Sequence, residues 1–135
     1  MTGSELLARQ ARLRAHVESV KETACEWGVN DCSAWSGAWV EKERRINLGL
    51  PTYSGEAEAR HLIEQAGGLE NIWSRLAMLS GIAETESPQY GDVGLIDTKF
   101  GPVGVIVAHE GVCAWRASFG VSFIRPRKFL KAWAV

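Results

Sequence analysis

The segment Asn30-Asp31-Cys32-Ser33 places a thiol in what reads as the first turn of a helix, because Asn30 and Asp31 are both good N-cap residues. At that position the unpaired N–H groups and the positive end of the helix dipole favour a thiolate. A nucleophilic cysteine is built this way when a base lies within hydrogen-bond reach. The bases on offer are the three histidines, His16, His61 and His109. Position alone does not separate such a nucleophile from a packed thiol, since cysteine is among the most buried residue types. Cys25 and Cys113 read as free thiols. With an odd cysteine count and no closely spaced pair, neither a zinc site nor a disulfide framework is expected, and no cofactor is implied.

The helix that must position Cys32 is unusual. From Cys32 to Val40 it carries no charged residue, so it is expected to be covered on most sides. Gly37 costs about 1 kcal/mol against Ala in a helix interior, which predicts a backbone packed close against it. Cys32, Trp35 and Trp39 fall on one face. Before it, Ser4 is expected to cap a helix running to about Thr23, with Leu6, Leu13, Val17, Val20 and Ala24 as its buried stripe. The Cys32 helix should run to about Ile46. A third helix spans about Glu56 to Ala66 and stops at Gly67-Gly68, and a fourth covers Leu69 to Leu79. After Pro88 the period shortens. Val93 to Ile96, Val103 to Ala108, Val112 to Trp115 and Val121 to Ile124 read as strands separated by turns. The fold class is α+β: helices against a small antiparallel sheet formed by residues 91–125, in a single domain over 1–135.

Bulk properties exclude several roles. A net charge of -1 and a pI near 6.3 give no reason to expect a nucleic-acid partner or an anionic membrane. The basic cluster Arg125, Arg127, Lys128 and Lys131 reads as a solvated face. No apolar run approaches the ~20 residues that span a bilayer, so no membrane insertion is expected. The start, Met1-Thr2-Gly3-Ser4-Glu5, lacks the basic and apolar regions of a signal peptide, which predicts synthesis in the cytoplasm without the usual export route. Six Trp residues read first as large fillers of a small core; a sugar-stacking cleft or a partner surface is the other use.

The run Trp27-Gly28-Val29-Asn30-Asp31-Cys32-Ser33 resembles the nucleophile segment of NlpC-type cell-wall peptidases, in which Asp-Cys-Ser opens a central helix. Tyr90-Gly91-Asp92-Val93 resembles that family's Gly-Asp turn into the first strand. Pro102-Val103-Gly104-Val105-Ile106 resembles the next strand, which carries the catalytic His. Over roughly residues 10–135 the chain is similar to a group of uncharacterised phage and prophage proteins related to that family. They share the Trp-Gly-x-x-Asp-Cys start, an Ala-Gly-Gly-Leu as at Ala66 to Leu69, the Gly-Asp-Val strand, and an Ala-Trp as at Ala132-Trp133.

The resemblance implies a papain-like, NlpC-type fold and a place among phage tail proteins. It also exposes a departure: the family's His position is Pro102, and Val112 to Trp115 offer no orienting polar residue. His109-Glu110-Gly111-Val112 fits a His-x-Gly-apolar pattern in a slipped register, which makes His109 the alternative base and turns Val103 to Ala108 into an insertion. His16 and His61 are expected at the surface. The expected role is a tail-associated structural or assembly protein, a pseudoenzyme, with other tail proteins as partners. Its location would be the virion tail, or the host cytoplasm before assembly. The alternative is a working cysteine hydrolase on peptidoglycan with Cys32 as nucleophile, and a third reading is a binder of cell-wall fragments.

Overall fold

The uncharged stretch after Asp31 becomes the inner helix of the molecule, as its composition requires. The computed structural model describes residues 1–135. Four helices, α1 (Gly3–Glu18), α2 (Cys32–Arg44), α3 (Glu56–Ala66) and α4 (Leu69–Leu79), precede five strands. These are β1 (Val93–Thr98), β2 (Gly101–Val107), β3 (Cys113–Arg116), β4 (Val121–Ile124) and β5 (Lys131–Trp133). The strands form one antiparallel sheet in the order β4-β3-β2-β1-β5. The fold is α+β.

Alternation along the strands sends side chains to two different cores. Val93, Leu95, Ile106, Ala114 and Trp133 join Leu13, Trp35, Trp39 and Val40 in the main core between sheet and helices. On the opposite face Ile96, Val105, Val107 and Cys113 form a smaller cluster. Because β4 and β5 stand at opposite edges, the chain between them must cross the sheet, and Phe129 of that crossing lies on the smaller cluster. Gly94 leaves room for it: a Cβ there would sit 2.6 Å from the Phe129 ring.

In α2, Trp35, Ser36, Gly37, Trp39 and Val40 are all buried, and the helix packs on β2. What meets Gly37 is the Leu50 side chain, 2.8 Å from a Cβ built there, and not the backbone expected from sequence. The first helix is capped by Thr2 in a reciprocal box with Glu5, and not by Ser4. It ends at Glu18; turns carry the chain onward, so Val20 is buried while Ala24 is exposed in an isolated bridge to Phe119. The second helix stops at Arg44 rather than Ile46, because Arg45 turns left-handed at φ 56°. The third and fourth helices have the expected bounds. Pro102 falls within β2 beside Asp97 of β1; β3 pairs only with Ile106 and Val107, so Pro102 deprives no ladder of a donor. The short strand β5 lies beyond residues 91–125, where no strand was expected.

Candidate functional site

The residues around Cys32 are arranged by Asp31. Its carboxylate caps α2, accepting from the Ser33 and Ala34 amides at 3.1 and 3.2 Å. It also accepts from the Gly28 amide at 2.7 Å and the Tyr53 hydroxyl at 2.8 and 2.7 Å. Both oxygens are therefore occupied, and the residue is only 2% exposed. Asp31 is a bonded structural group with no lone pair turned to a reacting atom. The Trp-Gly of the motif has a structural reason as well. Gly28 has φ +84°, and a Cβ on it would stand 2.0 Å from the Tyr53 carbonyl oxygen, so only glycine fits this approach.

Arg116, at the end of β3, holds the other side of the loop. Its Nε donates to the Asn30 carbonyl at 3.0 Å, Nη1 to the Thr23 and Gly120 carbonyls at 3.1 and 2.8 Å, and Nη2 to the Asn30 and Thr23 side chains. This buried cation bridges Thr23 to Asn30 and fixes where α2 begins. Sequence reading of that strand stopped one residue short, at Trp115. The available signal was an arginine ending an otherwise apolar strand.

Cys32 itself is half-buried. Burial pushes its thiol above the ordinary cysteine range; the Gly104 backbone and the Ser33 hydroxyl pull the other way, and the Asp31 charge adds to the rise. Desolvation is the largest cause and it raises the thiol, where helix position alone leads one to expect an acidified one. Burial likewise raises Cys25, and raises Cys113 to about 11.

No histidine stands at the thiol. Gly104 of β2 lies over it, where a Cβ would be 3.4 Å from the Cys32 carbonyl oxygen and 2.5 Å from the Trp73 ring. Pro102 is two residues away on the same face of that strand, exposed and without a base. His109 forms a single 3-10 turn with Glu110 and Gly111, and its ring lies 5.0 Å from that of Tyr90. Five residues beyond Gly104 at ~3.3 Å each put it roughly 16 Å along the strand, against a hydrogen-bond reach of about 3 Å. Val103 to Val107, the insertion of the slipped register, lies within β2, between β1 and β3. His61 is exposed on α3. His16 corrects the expectation of a surface residue. It is buried between α1 and α2, with Nε2–H donating to the Trp35 carbonyl at 2.9 Å and Nδ1 accepting from Lys42 at 3.1 Å.

The Gly-Asp turn is likewise bound up in structure. Asp92 accepts from the Gln89 and Val135 amides at 2.7 and 2.9 Å. The Gly91 carbonyl accepts from Trp39 Nε1 at 2.8 Å and from Arg9 at 3.1 Å. Arg9 also lies 3.3 Å from Glu43 and 4.0 Å from Asp92. The turn thereby ties α1, α2, β1 and the C-terminal residue together.

Trp35, Trp39 and Trp133 are buried in the main core, which is the filler role expected first. Trp73 donates to the Ser33 hydroxyl at 3.3 Å and, with Gly37, Leu50 and Trp133, lines an apolar cavity of about 40 Å³. That space suits about one small apolar group and has no convergent polar atoms to orient a sugar or peptide. No group of three or more His, Cys, Asp or Glu side chains is placed to hold a metal ion. No helix is long and apolar enough to cross a membrane.

No curated protein and no solved structure matches the chain. Residues 5–135 match one family, described as Domain of unknown function (DUF6950). The match takes in the Cys32 loop, the Gly91-Asp92 turn and every strand, and the chain belongs to that family.

Proposed function

We propose that this chain is a phage or prophage tail-associated structural protein, with an NlpC-like fold whose hydrolytic site has decayed. One observation carries the reading: Cys32 keeps its place at the head of the inner helix, while the strand lying over it has Gly104 there and Pro102 two residues before, neither with a side-chain base. The motif residues around the thiol support the same view, since Asp31, Gly28 and Asp92 are all bound into backbone and cap interactions. Loss of a general base costs roughly 100- to 10,000-fold in rate, which leaves such a thiol of little use to a hydrolase. The job left is assembly, in the virion tail or in the host cytoplasm before it, through contacts with other tail proteins.

A second reading keeps one observation on its side. The half-buried thiol still stands in the first turn of α2 behind Asp31, as a cysteine peptidase or amidase on peptidoglycan would need. The two part on a paired experiment: tail assembly and infectivity of phage carrying Cys32→Ser, beside digestion of purified muropeptides by the parent protein. Normal assembly with no digestion is the expected result. Digestion that vanishes in the variant overturns the structural reading.

A further inference from the structure

The two edges of the sheet are treated differently. At the β5 edge the chain guards itself: Glu84 bridges Trp133, Thr85 and Ala134 exchange backbone bonds with Ala132 and Ala83, and Lys131 pairs with Glu84 at 2.8 Å. The β4 edge is covered only before it begins, where Ala24 bridges Phe119 and the Gly120 amide donates to the Thr23 carbonyl. Val121–Ile124 pairs with β3 alone, and its outward backbone groups meet no partner in the chain. Natural edge strands are usually blunted by charge, proline or a bulge, whereas Val121-Ser122-Phe123-Ile124 has none of these.

Beside this edge runs a groove of about 490 Å³ between α1 and the sheet, lined in part by Leu13, Val17, Tyr90 and Val121. Phe119 and Phe123 stand on it 62% and 57% exposed. The charge around it is lopsided. Arg14 lines the groove and Arg125 follows the strand directly, and neither forms an ion pair. Arg125 spends a guanidinium N–H on the Glu110 carbonyl, which leaves its charge uncompensated. The groove's carboxylate, Glu18, is already shared with Lys21 at 3.8 Å. This cationic border belongs to a chain of net charge -1.

We propose that the open edge of β4 and its adjoining groove dock an extended, acidic segment of a partner protein. The segment adds a strand to β4, sets alternate apolar side chains against Phe119 and Phe123, and brings carboxylates to Arg14 and Arg125. Charge selects this occupant over a second copy of the chain, because pairing β4 with β4 would bring two cationic borders together. The inference does not rest on the state of Cys32, and either outcome of the muropeptide experiment leaves it standing.

The test uses the full chain and two fluorescein-labelled peptides: one alternating valine with glutamate, the other with lysine in place of every glutamate. The glutamate peptide should bind at least about tenfold more tightly, with the preference shrinking as salt rises. Amide NMR shifts should move along Val121–Ile124 and at Arg14. Arg14→Glu, on an exposed helix position, should erase the preference without altering the melting temperature; Phe123→Ser should weaken binding of the same peptide. Equal binding of the two peptides, or shifts confined to other elements, would overturn the proposal. So would concentration-dependent dimerisation abolished by Phe123→Ser, which would assign the edge to a second copy.

Discussion

Mild acid should weaken this fold through His16, and the size of the effect follows from its surroundings. The imidazole is 4% exposed and stacked on Trp35 with ring centroids 4.8 Å apart. Its Nδ1 accepts from Lys42, so a proton arriving there would break that bond and set two cations together. Burial is the main cause holding His16 down to about 4 from an ordinary 6.5; the Trp35 carbonyl opposes the fall and Lys42 adds to it. The unfolded chain therefore takes up its proton near 6.5 and the native one only near 4. Stability is complete above the first value and drains as pH falls toward the second. Linkage gives a loss of about 2 kcal/mol between about pH 7.5 and pH 5, and about 3 kcal/mol by about pH 4. Urea denaturation across that range measures it, with His16→Gln as the reference because it keeps an N–H donor for Trp35 and does not titrate. The variant should start less stable and lose much less on acidification. Parallel curves for the two proteins between about pH 7.5 and pH 5 would refute the reasoning.

Three further outcomes are expected. Arg116→Met should cost about 2 kcal/mol or more, since it strands the Asn30 carbonyl and removes the bonds to Thr23 and Gly120, and should open residues 23–30 to limited proteolysis; a melt equal to the parent's would contradict the clamp. Ser36→Ala should be neutral or stabilising in a thermal melt, because the Ser36 hydroxyl is buried in α2 without a partner, and a large loss would mean a hidden bond. Alkylation of Cys32 by iodoacetamide should be slow at neutral pH and accelerate only above the ordinary thiol range, read by mass spectrometry; fast labelling near neutrality would show an activated thiolate.

The main lines of the fold were legible because strong local signals agreed with one another. The uncharged run after Asp31 can only be an inner helix, and Gly67-Gly68 marks the boundary between α3 and α4 to the residue. What escaped was set by contacts distant in sequence. β5 has three residues, too few for a period, and exists because β1 and residues 83–85 pair with its two sides. His16 looked like a polar residue on an amphipathic helix, yet α2 supplies both a carbonyl and an amine to its ring. At the site, Asp31 was readable as a cap from its place before Cys32. Its further bonds to Gly28 and Tyr53 were not, because Tyr53 comes from a loop with no periodicity to place it. Acidification of Cys32 was expected from helix position alone, and desolvation, which only packing reveals, decided the sign.

If Cys32 has no base and turns over no substrate, as we propose, the most direct measurement is peptidoglycan cleavage itself. Purified muropeptides, incubated with the parent protein and with Cys32→Ser, are followed by chromatography and mass spectrometry for new amine termini. Identical, blank traces are expected for both proteins, together with normal tail assembly by the variant. Fragments released by the parent and absent with Cys32→Ser would contradict the proposal.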